Sequence, residues 1–128
     1  MLDRRKQMSG YKELQVYQKG YAAARSVYRI TEEYPKEEIY GITGQMRRAA
    51  VSIPLNIAEG YAKRESQTEF GRFLEMARGS ANEMSVLMEL SKDLGYIDEE
   101  TYEKGNKTYE EIGKMLTMFI RKIKQSKV

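Results

Sequence analysis

The 128-residue chain has no cysteine and no histidine. Without cysteine there are no disulfides, no thiol nucleophiles and no zinc sites built on thiolate, a composition that suits a reducing compartment. Without histidine there is no usual general base near neutral pH, no Ser-His-Asp triad and no Glu-x-x-His di-iron site. Only two prolines are present, too few to punctuate a many-stranded fold. Long apolar runs are lacking too. The longest uncharged run in the middle of the chain, Ala49–Ala58, is about half of what a bilayer-spanning helix needs. The basic start, Met1-Leu2-Asp3-Arg4-Arg5-Lys6, is followed by no apolar signal region. In that setting the glycosylation match Asn106-Lys107-Thr108 is a chance one. These absences lead us to expect a cytoplasmic protein that is not an enzyme, with no membrane association, no metal and no cofactor.

What is present points to helices. Hydrophobic residues make up 41% and charged residues 32% of the chain, which suits a soluble helical protein better than a disordered one. The length fits one domain over residues 1–128, its first ten residues read as a flexible basic N-terminus. A domain of this size buries roughly two-thirds of its unfolded surface and needs no staple.

Spacings of three and four residues place Leu14, Tyr17, Tyr21, Ala24 and Tyr28 on one face of a first helix, from about Lys12 to Glu33. Pro35 ends it, because the residue before proline is pushed out of helical geometry. Ile42, Met46, Ala49, Ile53 and Ile57 form a second stripe ending near Gly60, with Pro54 inside it as an expected kink. Ser66-Gln67-Thr68-Glu69 reads as a capping box that opens a third helix, whose stripe runs from Phe70 to Leu94 before Gly95. Asp98 caps a fourth helix carrying Tyr102, Tyr109, Ile112, Leu116, Phe119 and Ile123. The predicted fold is all-α, an up-and-down antiparallel four-helix bundle. Ala77, Gly79, Ser80 and Ala81 form a small-residue patch on the third helix, suited to tight packing within the bundle or to a subunit contact.

On the second helix Gln45, Arg48, Ser52, Asn56 and Glu59 fall in one narrow polar stripe beside the apolar one, extended by Lys63. Polar groups bordering a core must find partners, since an unpaired buried one costs about 1–3 kcal/mol. The stripe reads either as a hydrogen-bonded network that fixes register or as a surface for a ligand or RNA. Catalysis is the least favoured reading. Asn56 and Glu59 could hold a hard cation, yet two ligands fall short of a site.

Net charge is a mild +3, but basic residues gather in places. After Glu111 the chain carries Lys114, Arg121, Lys122, Lys124 and Lys127 and no acid. Arg4, Arg5 and Lys6 form a second group, which should meet the first because the two termini of such a bundle share an end. Arg47, Arg48, Lys63 and Arg64 read as a third group. Basic residues at helix C-termini suit the helix dipole, and they also suit phosphate. The ten tyrosines supply faces that could stack on single-stranded RNA. At helical spacing, Tyr17, Tyr21 and Tyr28 read instead as core or interface.

The run from Tyr34-Pro35 through Gly41-Ile42-Thr43, Gln45 and Arg47-Arg48-Ala49 to Ser52-Ile53 and Asn56-Ile57-Ala58-Glu59-Gly60 resembles the 23S rRNA intervening-sequence protein family. So do Leu14-Gln15-Val16-Tyr17, Phe70, Arg72-Phe73-Leu74, Ala77, Gly79-Ser80-Ala81, Glu83 and Leu94-Gly95-Tyr96-Ile97. Ile42 stands where the family usually has leucine. The resemblance implies a small four-helix bundle that assembles as a homopentamer, with no catalytic residue to carry over. Gln45, Arg48, Ser52, Asn56, Glu59 and Gly60 transfer only as signature positions.

The leading expectation is an oligomer that binds structured RNA through Arg4, Arg5, Lys6, Arg47, Lys63, Arg64, Arg121, Lys122 and Lys124. The alternative is a scaffold that docks a partner enzyme, as the similar accessory proteins of diversity-generating retroelements do. A nuclease built on Glu59, Glu75 and Glu83 lacks the density of acids that a metal site needs.

Overall fold

The computed structural model describes residues 10–125, among which every regular element is helical. Four α-helices follow in order: α1 (Gln15–Thr31), α2 (Ile42–Ala62), α3 (Gln67–Asp93) and α4 (Glu99–Gln125). Single 3-10 turns precede α1 at Gly10–Glu13 and α2 at Lys36–Tyr40. None of the described helices is long and apolar enough to cross a membrane.

Helix ends follow local chemistry. α1 starts later than the expected Lys12, because Leu14 is extended (φ −70°, ψ 124°) and breaks the turn before it. It ends at Thr31, whose hydroxyl donates back to the Val27 carbonyl at 2.8 Å. The Ser66 hydroxyl accepts from the Glu69 amide at 3.1 Å and opens α3. The other half of the expected box is missing: the Glu69 carboxylate pairs with Arg72 instead. At the end of α3, Tyr96 N–H donates to the Ser91 carbonyl and Gly95 N–H to that of Lys92, the paired bonds of a Schellman stop. Gly95 sits there at φ +81°, where a side chain would be strained. Asp98 accepts from the Thr101 amide at 2.8 Å and opens α4.

Consecutive helices pack side by side, and α4 returns to α1. Phe70, early in α3, meets Phe119, late in α4, with ring centroids 5.3 Å apart, as antiparallel neighbours require. Lys19 on α1 pairs with Glu111 on α4 at 2.6 Å. Met46, Ile53, Ile57, Leu74, Met84, Met88, Ile112 and Leu116 are fully buried in one continuous core. Each contributes about 1.5–3 kcal/mol by leaving water.

One expected face is turned. α1 buries Val16, Gly20, Ala23, Ala24, Val27 and Thr31, not its tyrosines. Tyr17 is half-buried, while Tyr21 and Tyr28 stay 51% and 45% exposed. Three and four-residue spacing fits both stripes. Small residues won the inner one because α1 lies close to α2, where Gly20 leaves room for Ile53.

Gly60 marks the closest approach of α2 to α3: a Cβ there would lie 2.9 Å from Phe73 Cβ and 3.3 Å from the Phe70 carbonyl oxygen. At Gly71 an added Cβ meets nothing within 4 Å. We expect Gly60→Ala to destabilise by about 1–3 kcal/mol through overpacking. Gly71→Ala should stabilise by up to about 1 kcal/mol through helix propensity. Urea denaturation of both variants checks this pair of opposite signs.

Candidate functional site

α2 presents three edges. Its inner edge is core, and the edge toward α3 carries the polar stripe. Ser52 Oγ and Ser80 Oγ lie 2.8 Å apart, joining α2 to α3. Asn56 Nδ2 donates to both the Ser52 carbonyl and its hydroxyl, at 2.8 and 2.9 Å. Ser52 and Asn56 thus belong to a small interhelical network, and Gly60 is a packing position. The small-residue patch divides likewise. Ala77 and Ala81 are buried and Ser80 bonds Ser52, but an added Cβ on exposed Gly79 would touch nothing within 4 Å.

The rest of the stripe lies outside that network. Gln45, Arg48 and Glu59 are exposed, and Arg48 has no partner among the described residues. Glu59 makes only a long pair with Lys63, at 3.8 Å. Glu75 is taken by Arg78, and no described group of three or more acids is placed to hold a metal ion.

The third basic group of the sequence reading does not exist as a cluster. Arg47 and Arg48 stand near the start of α2 and Lys63 and Arg64 just past its end, about 24 Å apart at helical rise. Arg47 is a brace: its Nε donates to Thr31 Oγ1 at 2.9 Å and its guanidinium lies 4.6 Å from the Tyr28 ring centre. It ties α2 to the end of α1.

Lys63 and Arg64 instead share the end of the bundle where α4 finishes with Arg121, Lys122 and Lys124. Aromatic rings close the core there: Tyr61 meets Phe70 at 6.2 Å, and Phe70 meets Phe119. Arg64 folds over the Tyr61 ring at 4.1 Å and donates to the Tyr61 carbonyl. All five cations are exposed. The opposite end is acidic, with Glu32, Glu33, Glu37, Asp93, Asp98, Glu99 and Glu100 all exposed. Arg4, Arg5 and Lys6 lie outside the described residues.

A surface that the sequence reading missed runs along the outside of α1 and α2. Two adjoining hollows of about 460 and 650 Å³ share Tyr28, Val51 and Leu55. The first is lined by Tyr11, Tyr17, Tyr21, Arg25 and Arg29, and the second by Arg47, Arg48, Ser52, Asn56 and Glu59. Burial, then the charges that Tyr11 and Tyr21 would carry, raise the Tyr17 hydroxyl above its ordinary value, so the ring stays neutral. The available signal was the alternation of Tyr21, Arg25, Tyr28 and Arg29 along one side of α1, which a core stripe would not carry.

A family model described as 23S rRNA-intervening sequence protein matches residues 12–118. A crystal structure of a protein of unknown function from the S23 ribosomal protein family of Bacteroides thetaiotaomicron is similar, with 28% identity and a TM-score of 0.75. The similarity covers 83% of this chain and 95% of that one. No curated protein matches.

The two neighbouring arginines should separate in mutation. Arg47→Ala removes a charged hydrogen bond and a ring contact and should cost about 1–2 kcal/mol. Arg48→Ala removes an unpartnered exposed side chain and should change stability by no more than about 0.5 kcal/mol. Urea midpoints of the two variants measure the difference.

Proposed function

The chain belongs to the 23S rRNA-intervening sequence protein family, and from that premise we propose a non-enzymatic, oligomeric bundle that binds structured RNA by its phosphates. The observation that carries the reading is an uneven charge: Lys63, Arg64, Arg121, Lys122 and Lys124 outnumber Glu13 and Glu65 at one end, while Glu32, Glu33, Glu37, Asp93, Asp98, Glu99 and Glu100 outnumber Lys36 and Lys92 at the other. A molecule polarised in this way presents its basic end to a phosphate surface and turns its acidic end away.

Assembly would amplify the effect. The homopentamer implied by the resemblance would carry about +15 from five chains of +3 each. In a ring whose bundles run along the rotation axis every basic end would face the same side. The outer side of α3 supports self-association: Met76, Val86 and Leu90, with Leu94 just past its end, are all exposed on one face, with open space at Gly79 and one acid, Glu83, among them. Apolar side chains gathered on one outer face mark an interaction surface.

Two outcomes are expected. With a labelled RNA hairpin, log K should fall linearly with log salt, and Arg121→Gln/Lys122→Gln/Lys124→Gln should flatten that slope by about 2–3 while circular dichroism stays unchanged. An unchanged slope removes this end from the proposal. Light scattering should show an oligomer that Val86→Lys/Leu90→Lys reduces to monomer; a monomeric parent chain overturns the assembly.

A further inference from the structure

The hollow between α1 and α2 holds two kinds of group that the chain itself uses only in part. One is aromatic surface. Tyr21 and Tyr28 stand about half exposed on the outer side of α1, although Arg47 covers part of the Tyr28 ring. The other is guanidinium charge. Arg25, Arg29 and Arg48 have no hydrogen-bond or ion-pair partner among the described residues. Glu59 is the acid lining these hollows, at the far end of the second.

We propose that this furrow stacks the unpaired bases of an RNA strand on Tyr21 and Tyr28, with Arg25, Arg29 and Arg48 holding the neighbouring phosphates. The inference rests on the RNA-binding reading above and gives it a second surface with a different chemistry. Exposed rings next to unpaired arginines are the combination that single-stranded nucleic acid uses, because every base has a face to stack and every linkage a charge to pair. An acidic peptide would answer the arginines but leave two tyrosine faces unused. Paired RNA would answer the charge alone, since its base faces are already covered within the helix. Seven residues separate the two tyrosines, about 10 Å along α1, so each ring addresses a different nucleotide.

This surface and the basic end therefore divide the RNA between them. The end reads phosphate alone, whereas the furrow reads base faces as well as phosphate, so both weaken with salt but only the furrow distinguishes single strands from duplex.

The test compares an oligoadenylate of about ten nucleotides with a blunt RNA duplex, both bound to the full chain. Tyr21→Ala/Tyr28→Ala should weaken oligoadenylate binding about tenfold or more and leave duplex binding within about twofold. Tyr28→Phe, which keeps the ring, should bind like the parent. The chain has no tryptophan but ten tyrosines, so the quenching of tyrosine emission by the oligonucleotide that is lost in Tyr21→Ala/Tyr28→Ala reports stacking on these two rings. Unchanged oligoadenylate affinity with salt-dependent duplex binding intact overturns the furrow and leaves the basic end standing. Absence of any RNA binding overturns both. Dissociation of the oligomer by Tyr21→Ala/Tyr28→Ala shows the furrow to be a subunit contact and overturns it as well.

Discussion

Close approach of α2 to α3 is the constraint from which the rest of the architecture follows. Ser52 and Ser80 can bond at 2.8 Å only because the two backbones come near one another, and the missing Cβ of Gly60 lets Phe73 and Phe70 close the same seam further along. With that seam tight, one side of α2 is fixed against α3 and its inner side against the core. What remains of α2 must face α1 or water. Arg47 then becomes a brace to α1, while Arg48 and Leu55, which no neighbouring helix covers, remain on the outside. A polar stripe drawn as one band on a helical wheel is thereby split by the packing. Ser52 and Asn56 fall on the satisfied side, and Arg48 and Glu59 fall beyond it.

The last two helices were the most legible because they carry their own punctuation, whereas α1 and α2 open with no side-chain bond from the N-cap residue. Ser66, Gly95 and Asp98 act in the structure through the bonds their chemistry suggests. The orientation of α1 was not legible. Its tyrosines and its small residues share the same helical spacing, and hydrophobicity alone favours the larger rings for the interior. Packing distance decides otherwise: a helix lying close against its neighbour needs Gly20, Ala23 and Ala24 inside. Nor could spacing along the chain reveal that Arg47 and Arg48 stand a whole helix away from Lys63 and Arg64. Proximity in a bundle is set by which ends meet, so Lys63 and Arg64 gather with residues some sixty positions later and not with those sixteen before.

That rule also explains the charge polarity. Antiparallel helices bring the starts of two and the ends of two to each end of the bundle, so helix-dipole preferences by themselves cancel. The observed segregation is therefore carried by the loops and the last turns. Glu32, Glu33, Glu37, Asp93 and Asp98 outnumber Lys36 and Lys92 on or beside the two connections at one end, and Lys63, Arg64, Lys122 and Lys124 outnumber Glu65 at the other. Two helices, α3 with Glu69 and Lys92 and α4 with Glu99, Glu100, Lys122 and Lys124, start with acids and finish with bases in the sense the dipole favours. Helix stability accounts for those two cases. A field built from connecting segments as well is better explained by what it faces outside the chain.

The exposed tyrosines make the same argument by a different route. Folding gained little from placing Tyr21 and Tyr28 in water, where a rotamer-limited ring still costs order without full burial. Tyr17, beside them, is drawn half inside and packs edge-on to Tyr11 at 4.9 Å. The chain thus has the means to bury a tyrosine on this side of α1, and uses it once. The two that stay out are flanked by arginines that find no carboxylate, although acids are plentiful a few residues away at Glu32 and Glu33. A surface that keeps two rings about half exposed and three cations unpaired is arranged for contact with something that has flat faces and negative charge together. RNA with unpaired bases has both.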